Sequence, residues 1–298
     1  MSLSLWYIWA MVAMLATGVS SFVLRLAIES NVDSSLLRLM MHLIVFIGSA
    51  SLFLVFGNSS DVVSSGISGT IISLAILQGI FFYLGVYFRL VAVERQAPTF
   101  IVFSLFQFKV VPVLLISVIF LDEWYLLDDA PRVVGIILAL LAIYLVLDLK
   151  SFGKSITNPI WIAIFFASLG MMSAAIATVF SKVVVVNEPG INLFSYMAFV
   201  NLVTIVCTLI LTNWNNKLDL LLFKRAFFYG GLMGLLTLIG FYSFLRAVMD
   251  GSLSQVISIN SLGILVPIVL ASIYLGEKLK PKVEISIFLA IMSIILIG

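Results

Sequence analysis

The chain has 298 residues, 63% of them hydrophobic and 10% charged, and its mean hydropathy is +1.25. Soluble domains are about 45–50% apolar and about 25% charged, so this sequence has too little polar surface to cover a water-soluble globule. Its 16 Lys and Arg and 14 Asp and Glu give a formal charge of +2 and are scattered, which excludes the basic patch that nucleic-acid binding requires. One cysteine, Cys207, and one histidine, His42, make neither a disulfide framework nor a metal cage.

A membrane span needs ~20 mostly apolar residues, and the chain divides into ten such segments. They run from Leu5 to Leu24, Leu36 to Phe56, Ile67 to Leu90, Pro98 to Leu121, Val133 to Leu147, Pro159 to Val179, Ile191 to Leu211, Ala226 to Val248, Leu253 to Tyr274 and Val283 to Ile297. The fifth and tenth are short, at roughly 23 Å of helix, and span if the bilayer thins or flanking side chains snorkel. The first reads as a retained helix rather than a secretory signal, because Met1 to Trp9 contains no Lys or Arg.

Cation placement sets the orientation. Taken alternately, the connections put Arg25, Arg38, Arg89, Arg95, Lys150, Lys154, Lys217, Lys224, Arg225, Lys278, Lys280 and Lys282 on one side and only Arg132, Lys182 and Arg246 on the other. The bias places both termini outside the cytoplasm.

The chain also carries an internal repeat. A shift of 155 residues pairs Gly85 with Gly240, Tyr87 with Tyr242, Ala92 with Ala247, Pro112 with Pro267, Ser117 with Ser272 and Asp122 with Glu277. A shift of 157 pairs Arg25 with Lys182, each closing the first helix of its half. Five spans per half is an odd number, so the second copy enters the membrane from the opposite side. The expected fold is an all-α polytopic membrane protein, with ten transmembrane helices as two inverted five-helix repeats, residues 1–150 and 151–298. In that architecture the substrate site lies near the midplane, between halves that rock against each other.

Several short motifs occur in a specific order along the chain. A basic residue closes the first and sixth helices (Arg25, Lys182), and Arg38 opens the second after the polar run Asn31 to Ser35. Phe120-Leu121-Asp122-Glu123 and Tyr274-Leu275-Gly276-Glu277-Lys278-Leu279 follow the fourth and ninth. In these motifs the chain resembles the ten-helix, EamA-like branch of the drug/metabolite transporter superfamily over essentially its full length. The resemblance implies a transporter of small solutes such as amino acids, nucleobases, nucleotide-like metabolites or organic anions. Two features depart from the family pattern. Lys109 and Ile264 stand where its proline usually lies, and Asp122 replaces the glycine before the first acid, so either Asp122 or Glu123 is the counterpart of Glu277. The first span also lacks the acidic residue with which the superfamily's small multidrug members exchange protons for cations.

Polar groups retained in hydrocarbon usually face a cavity or a partner. Lys109 lies near the centre of the fourth span, beyond snorkelling reach of either interface. It would attract a carboxylate or phosphate, or else form a structural contact between helices. Gln107 is two residues away, ~200° round a continuous helix, so at most one of the pair is expected to face a given cavity. Gln78, Asn201 and Asn260 lie near mid-span and would bind solute or a neighbouring helix. His42 is a candidate proton relay or a packing residue. Tyr87 and Tyr242, near the ends of the third and eighth spans, are interface anchors or substrate-facing gates. Pro112 and Pro267 each remove a backbone hydrogen bond within a span and are candidate hinges. Glu123, Glu277 and the lysines beside Glu277 read as structural helix-end charges.

The sequence has no His-Glu-x-x-His, no Gly-x-Ser-x-Gly and no phosphate-binding glycine loop, so no enzyme, cofactor or metal is expected. The expected activity is secondary transport of a small polar, in one reading anionic, metabolite by alternating access. The alternative is a non-transporting scaffold or lipid-handling subunit. The partners are the lipid bilayer, a small-molecule solute and, as a candidate coupling ion, the proton. The protein would be a monomer or homodimer in the bacterial cytoplasmic (inner) membrane.

Overall fold

A computed structural model of the chain describes residues 4–56, 69–94, 102, 105–146, 158–188, 191–212 and 220–298. Pro98, Leu147, the boundary between residues 150 and 151, Arg95, Lys150, Lys154 and Lys217 lie outside the described residues.

The described residues are helical, with no strand among them. The first half contains α1 (Leu5–Glu29), α2 (Ser34–Phe56), α3 (Gly69–Glu94), α4 (Val110–Phe120) and α5 (Ala130–Val146). The second contains α6 (Asn158–Asn187), α7 (Leu193–Leu211), α8 (Leu220–Asp250), α9 (Leu253–Ser261), α10 (Leu265–Tyr274) and α11 (Pro281–Ile297). Seven helical stretches, counting α9 with α10 as one, are long and apolar enough to cross a membrane, and Leu105–Phe120 and Ala130–Val146 are shorter apolar helices. Large hydrophobics on the outer faces, such as Leu54, Ile119 and Phe228, are exposed, as helix faces turned to lipid should be.

Short polar residues start the helices. Asp33 Oδ1 accepts from the backbone N–H groups of Ser35 (2.9 Å) and Leu36 (3.0 Å) at the head of α2. Asn192 Oδ1 does the same for Phe194 (3.0 Å) and Ser195 (3.2 Å) at the head of α7. Each satisfies donors that the first turn leaves unpaired.

Packing is pairwise across the two halves. α1 lies along α8 and α3 along α6; α2 packs on α8 and α7, α3 also on α7, and α5 on α11. Close approach depends on glycine at two of these crossings. A Cβ added at Gly79 in α3 would lie 2.7 Å from Val203 Cβ and 2.8 Å from the Val200 carbonyl oxygen in α7. One added at Gly234 in α8 would lie 2.7 Å from Ile44 Cβ and 2.8 Å from the Met41 carbonyl oxygen in α2. Small residues let membrane helices approach in this way.

Two helices are broken. Phe108 and Lys109 form a turn before α4, with Phe108 N–H donating to Leu105 O (3.0 Å) and Lys109 N–H to Phe106 O (3.3 Å). A 3₁₀ turn at Leu262–Ile264 separates α9 from α10. Pro112 and Pro267 therefore stand in the first turns of restarted helices, where a missing N–H costs no helical hydrogen bond. The expectation that each proline removes a bond from a continuous span is corrected accordingly.

The turns after α4 and α10 share a backbone feature. Asp122 (φ +53°) and Gly276 (φ +67°), each directly before a glutamate, both take left-handed backbone. The two acids have different surroundings. Glu123 is buried and accepts from the N–H groups of Leu253 (2.6 Å) and Ser254 (3.0 Å) and the hydroxyls of Ser254 (2.6 Å) and Ser117 (2.7 Å). It thus caps α9 from the opposite half of the chain. Beside it, Lys182 Nζ donates to the carbonyls of Val248 (2.7 Å) and Gly251 (2.9 Å), neutralising the C-terminal end of α8. Glu277 is half exposed and accepts from Arg25 through both oxygens, Nη1 to Oε2 at 3.1 Å and Nη2 to Oε1. The Arg25 guanidinium holds the Glu277 carboxyl below its ordinary value.

Three outcomes follow from this packing. Gly79→Ala and Gly234→Ala will each lower stability by roughly 1–3 kcal/mol in thermal denaturation of detergent-solubilised protein, whereas Gly231→Ala, whose added Cβ would meet nothing within 4 Å, will not. Glu123→Gln will cost about 2 kcal/mol, because an amide NH₂ is turned toward donors; an unchanged Tm would contradict the capping role. Because the Glu277 carboxyl is depressed, its stabilisation is present above the unfolded value of 4.5 and is lost as pH falls through the folded one. Stability titrations of Arg25→Gln and wild type should therefore converge below pH 4.5 and differ by less than about 1 kcal/mol above it, the pair being half in water.

Candidate functional site

One cavity of about 200 Å³ lies between the two halves of the chain. α1 contributes Thr17, Ser20, Ser21 and Leu24, and α2 contributes Leu37, Arg38 and Met41. α3 presents Gln78, Phe82, Gly85, Val86, Arg89 and Leu90, the 3–4-residue spacing of one helical face. The turn before α4 adds Phe106, Gln107 and Lys109. From the second half come Ala174, Ala177, Thr178 and Ser181 of α6, Met233, Thr237, Gly240, Phe241 and Phe244 of α8, and Asn260 of α9.

Charge distinguishes this lining. It holds three cations, Arg38, Arg89 and Lys109, and no carboxylate among the described residues. Arg89 Cζ lies 5.0 Å and Lys109 Nζ 5.4 Å from the centroid of the Phe106 ring, so both cations rest against one aromatic face or edge. Arg38 is buried. Its Nε donates to the Ser34 carbonyl (3.3 Å) and its Nη2 to Ser35 Oγ (3.3 Å), while its guanidinium lies 5.7 Å from the Tyr83 ring centroid and 5.3 Å from that of Tyr87. Its buried Nη1 has no hydrogen-bond partner among the described residues.

Both Gln107 and Lys109 line the cavity, which overturns the expectation that at most one of them faces it. That expectation assumed a continuous α-helix. The chain here makes i→i−3 bonds instead, and ~120° per residue brings two positions of i, i+2 spacing closer in direction than an α-helix would.

The other polar positions divide into two groups. Gln78 and Asn260 line the cavity and are tied to neighbouring helices. Gln78 Nε2 donates to Ser181 Oγ (2.9 Å), its Oε1 accepts from the Tyr196 hydroxyl, and Asn260 Oδ1 accepts from Thr17 Oγ1 (3.2 Å). Asn201, His42, Tyr87 and Tyr242 are not among the lining residues. His42 Nδ1 donates to Asn201 Oδ1 (2.9 Å) across the α2–α7 contact, and Asn201 Nδ2 donates to the Met197 carbonyl (2.8 Å). Tyr87 stacks on Tyr83 behind Arg38, and Tyr242 stacks on Phe194, 4.9 Å between ring centroids. Pro112 and Pro267 also lie outside the lining.

Sequence reasoning counted Arg38 and Arg89 as helix-end charges and missed them as cavity residues. The spans read from hydropathy, Leu36 to Phe56 and Ile67 to Leu90, put both at span ends, whereas in the structure Arg38 stands a full turn inside α2, which begins at Ser34, and Arg89 more than a turn before the end of α3 at Glu94.

A solved structure described as a crystal structure of a protein has the same fold, with a TM-score of 0.72 at 13% identity, covering 96% of this chain and 95% of that one. No curated protein matches the sequence. The EamA-like transporter family matches residues 161–298. With its multiple apolar helices, the protein is an integral membrane protein whose residues 161–298 are similar to the EamA-like transporter family.

Proposed function

We propose that the protein is a secondary transporter that moves a small anionic metabolite across the bacterial cytoplasmic membrane by alternating access. The observation that carries this reading is the cavity between the halves, lined by three cations and by no carboxylate among the described residues. Cations buried in a bilayer attract anionic partners.

Lys109, which rests on the same Phe106 ring as Arg89, receives the anionic group, while Gln107, Gln78 and Asn260 orient the rest of the solute. Asn201 and His42 fasten α2 to α7, which gives His42 a packing role rather than a place on a proton path. Tyr87 braces Arg38, and Tyr242 braces α8 against α7. The helix breaks just before Pro112 and Pro267 supply the points at which the halves flex.

Ten spans in two inverted repeats, residues 1–150 and 151–298, fit the packing. Exchanging the halves converts the α1–α8 contact into the α6–α3 contact and the α2–α8 contact into the α7–α3 contact. The same exchange relates Gly79 to Gly234 and the turn at Asp122 to that at Gly276. With Arg38 and Arg89 assigned to the cavity, the remaining cations still favour termini outside the cytoplasm.

Flux measurements in proteoliposomes test the reading. Anionic metabolites from a panel should be carried by wild type, and Lys109→Met should lower their transport about 10- to 100-fold, the worth of a charge-assisted hydrogen bond, without lowering Tm. Intact transport of the anionic substrate by Lys109→Met would contradict the proposal.

A further inference from the structure

Building on the proposed anion carrier, we infer that its solute is a short hydroxylated carboxylic acid. Its carboxylate meets Lys109, and its hydroxyl groups donate to acceptor oxygens of the cavity, that of Gln107 first among them. The leading observation is an unpaired acceptor. Gln107 lines the cavity, and its Oε1 is buried without a hydrogen-bond partner among the described residues. A buried carbonyl oxygen left unpaired is costly, and a donor on the solute would pair it.

The hydroxyls of the lining point the same way. Thr17, Ser21 and Thr178 all line the cavity, and each commits its one proton to its own helix. Ser21 Oγ donates to the Thr17 carbonyl (2.9 Å) and Thr178 Oγ1 to the Ala174 carbonyl (2.7 Å). Thr17 Oγ1 lies 2.8 Å from the Ala13 carbonyl oxygen, 3.1 Å from that of Met14 and 3.2 Å from Asn260 Oδ1, so its single proton is shared among three acceptors. A hydroxyl whose proton is committed in this way has only lone pairs left to offer. Away from its cations, the cavity therefore asks for donors.

Charge decides which kind of donor. An ammonium group would be drawn to a carboxylate, and the described lining has none, while Arg38 and Lys109 in the same lining repel it in a medium of low dielectric. Hydroxyl groups supply donors without that charge. Size limits the body to a few carbons, since a cavity of about 200 Å³ is below the ~300–1,000 Å³ of drug-sized pockets.

The test uses the full-length protein in phosphatidylcholine nanodiscs at constant ionic strength, so that no anionic headgroup competes. Thermal stabilisation is titrated with erythronate, with its deoxy counterpart butyrate, with α-aminobutyrate and with the uncharged erythritol. Erythronate should act at concentrations about tenfold or more below those of the other three, the worth of one or two hydrogen bonds. Gln107→Met, which keeps the length and loses the acceptor, should narrow the lead of erythronate over butyrate about threefold or more. Thr178→Val should narrow it as well, and because the two positions lie on different elements, a loss of fold in one variant leaves the other to decide. Equal action by erythronate and butyrate, a lead for α-aminobutyrate or erythritol, no response to any of the four, or a lead untouched by the substitutions would overturn the inference. The anion-carrier reading is judged independently by the flux of Lys109→Met.

Discussion

Hydrocarbon makes an uncompensated charge costly, and most of this architecture follows from how the chain keeps its few charges satisfied. The buried carboxylate of Glu123 is saturated by backbone and hydroxyl donors at the start of α9. The Lys182 ammonium is held by two carbonyls near the end of α8, and Arg25 is paired with Glu277. Arg38, Arg89 and Lys109 instead converge on one cavity with no carboxylate among its described lining residues. The first three are structural charges at helix ends, and the second three line a shared space.

The same constraint accounts for the broken helices. Backbone at membrane depth departs from α-helix only where protein or a cavity takes up its polar groups. The turn at Phe108–Lys109 places two polar side chains on the cavity, and the 3₁₀ turn at Leu262–Ile264 lies directly after Asn260, which also lines it. Proline three residues beyond each break is compatible with a helix starting there and incompatible with one running straight through.

Much of the helical layout was legible in the sequence because long apolar runs have few other ways to satisfy their backbone. Capping residues Asp33 and Asn192 mark helix starts that hydropathy alone leaves blurred. Three features were not legible. The common orientation of Gln107 and Lys109 depends on a local change of helical period that hydropathy does not encode. The likeness of the turns before Glu123 and Glu277 depends on left-handed backbone at Asp122 and Gly276, which the different residue types at those two positions conceal. Arg38 and Arg89 were hidden by a rule that reads cations near helix ends as orientation signals, although a single turn of extra depth is enough to bring such a side chain onto a cavity.

The central claim is that the converging cations form one anion site. Anomalous diffraction from crystals soaked in bromide measures this most directly, since bromide reports where positive potential is accessible. The account predicts a peak inside the cavity, between the Lys109 ammonium and the Arg89 guanidinium. Bromide peaks confined to the outer surface, beside residues such as Lys224 or Arg225, would contradict it.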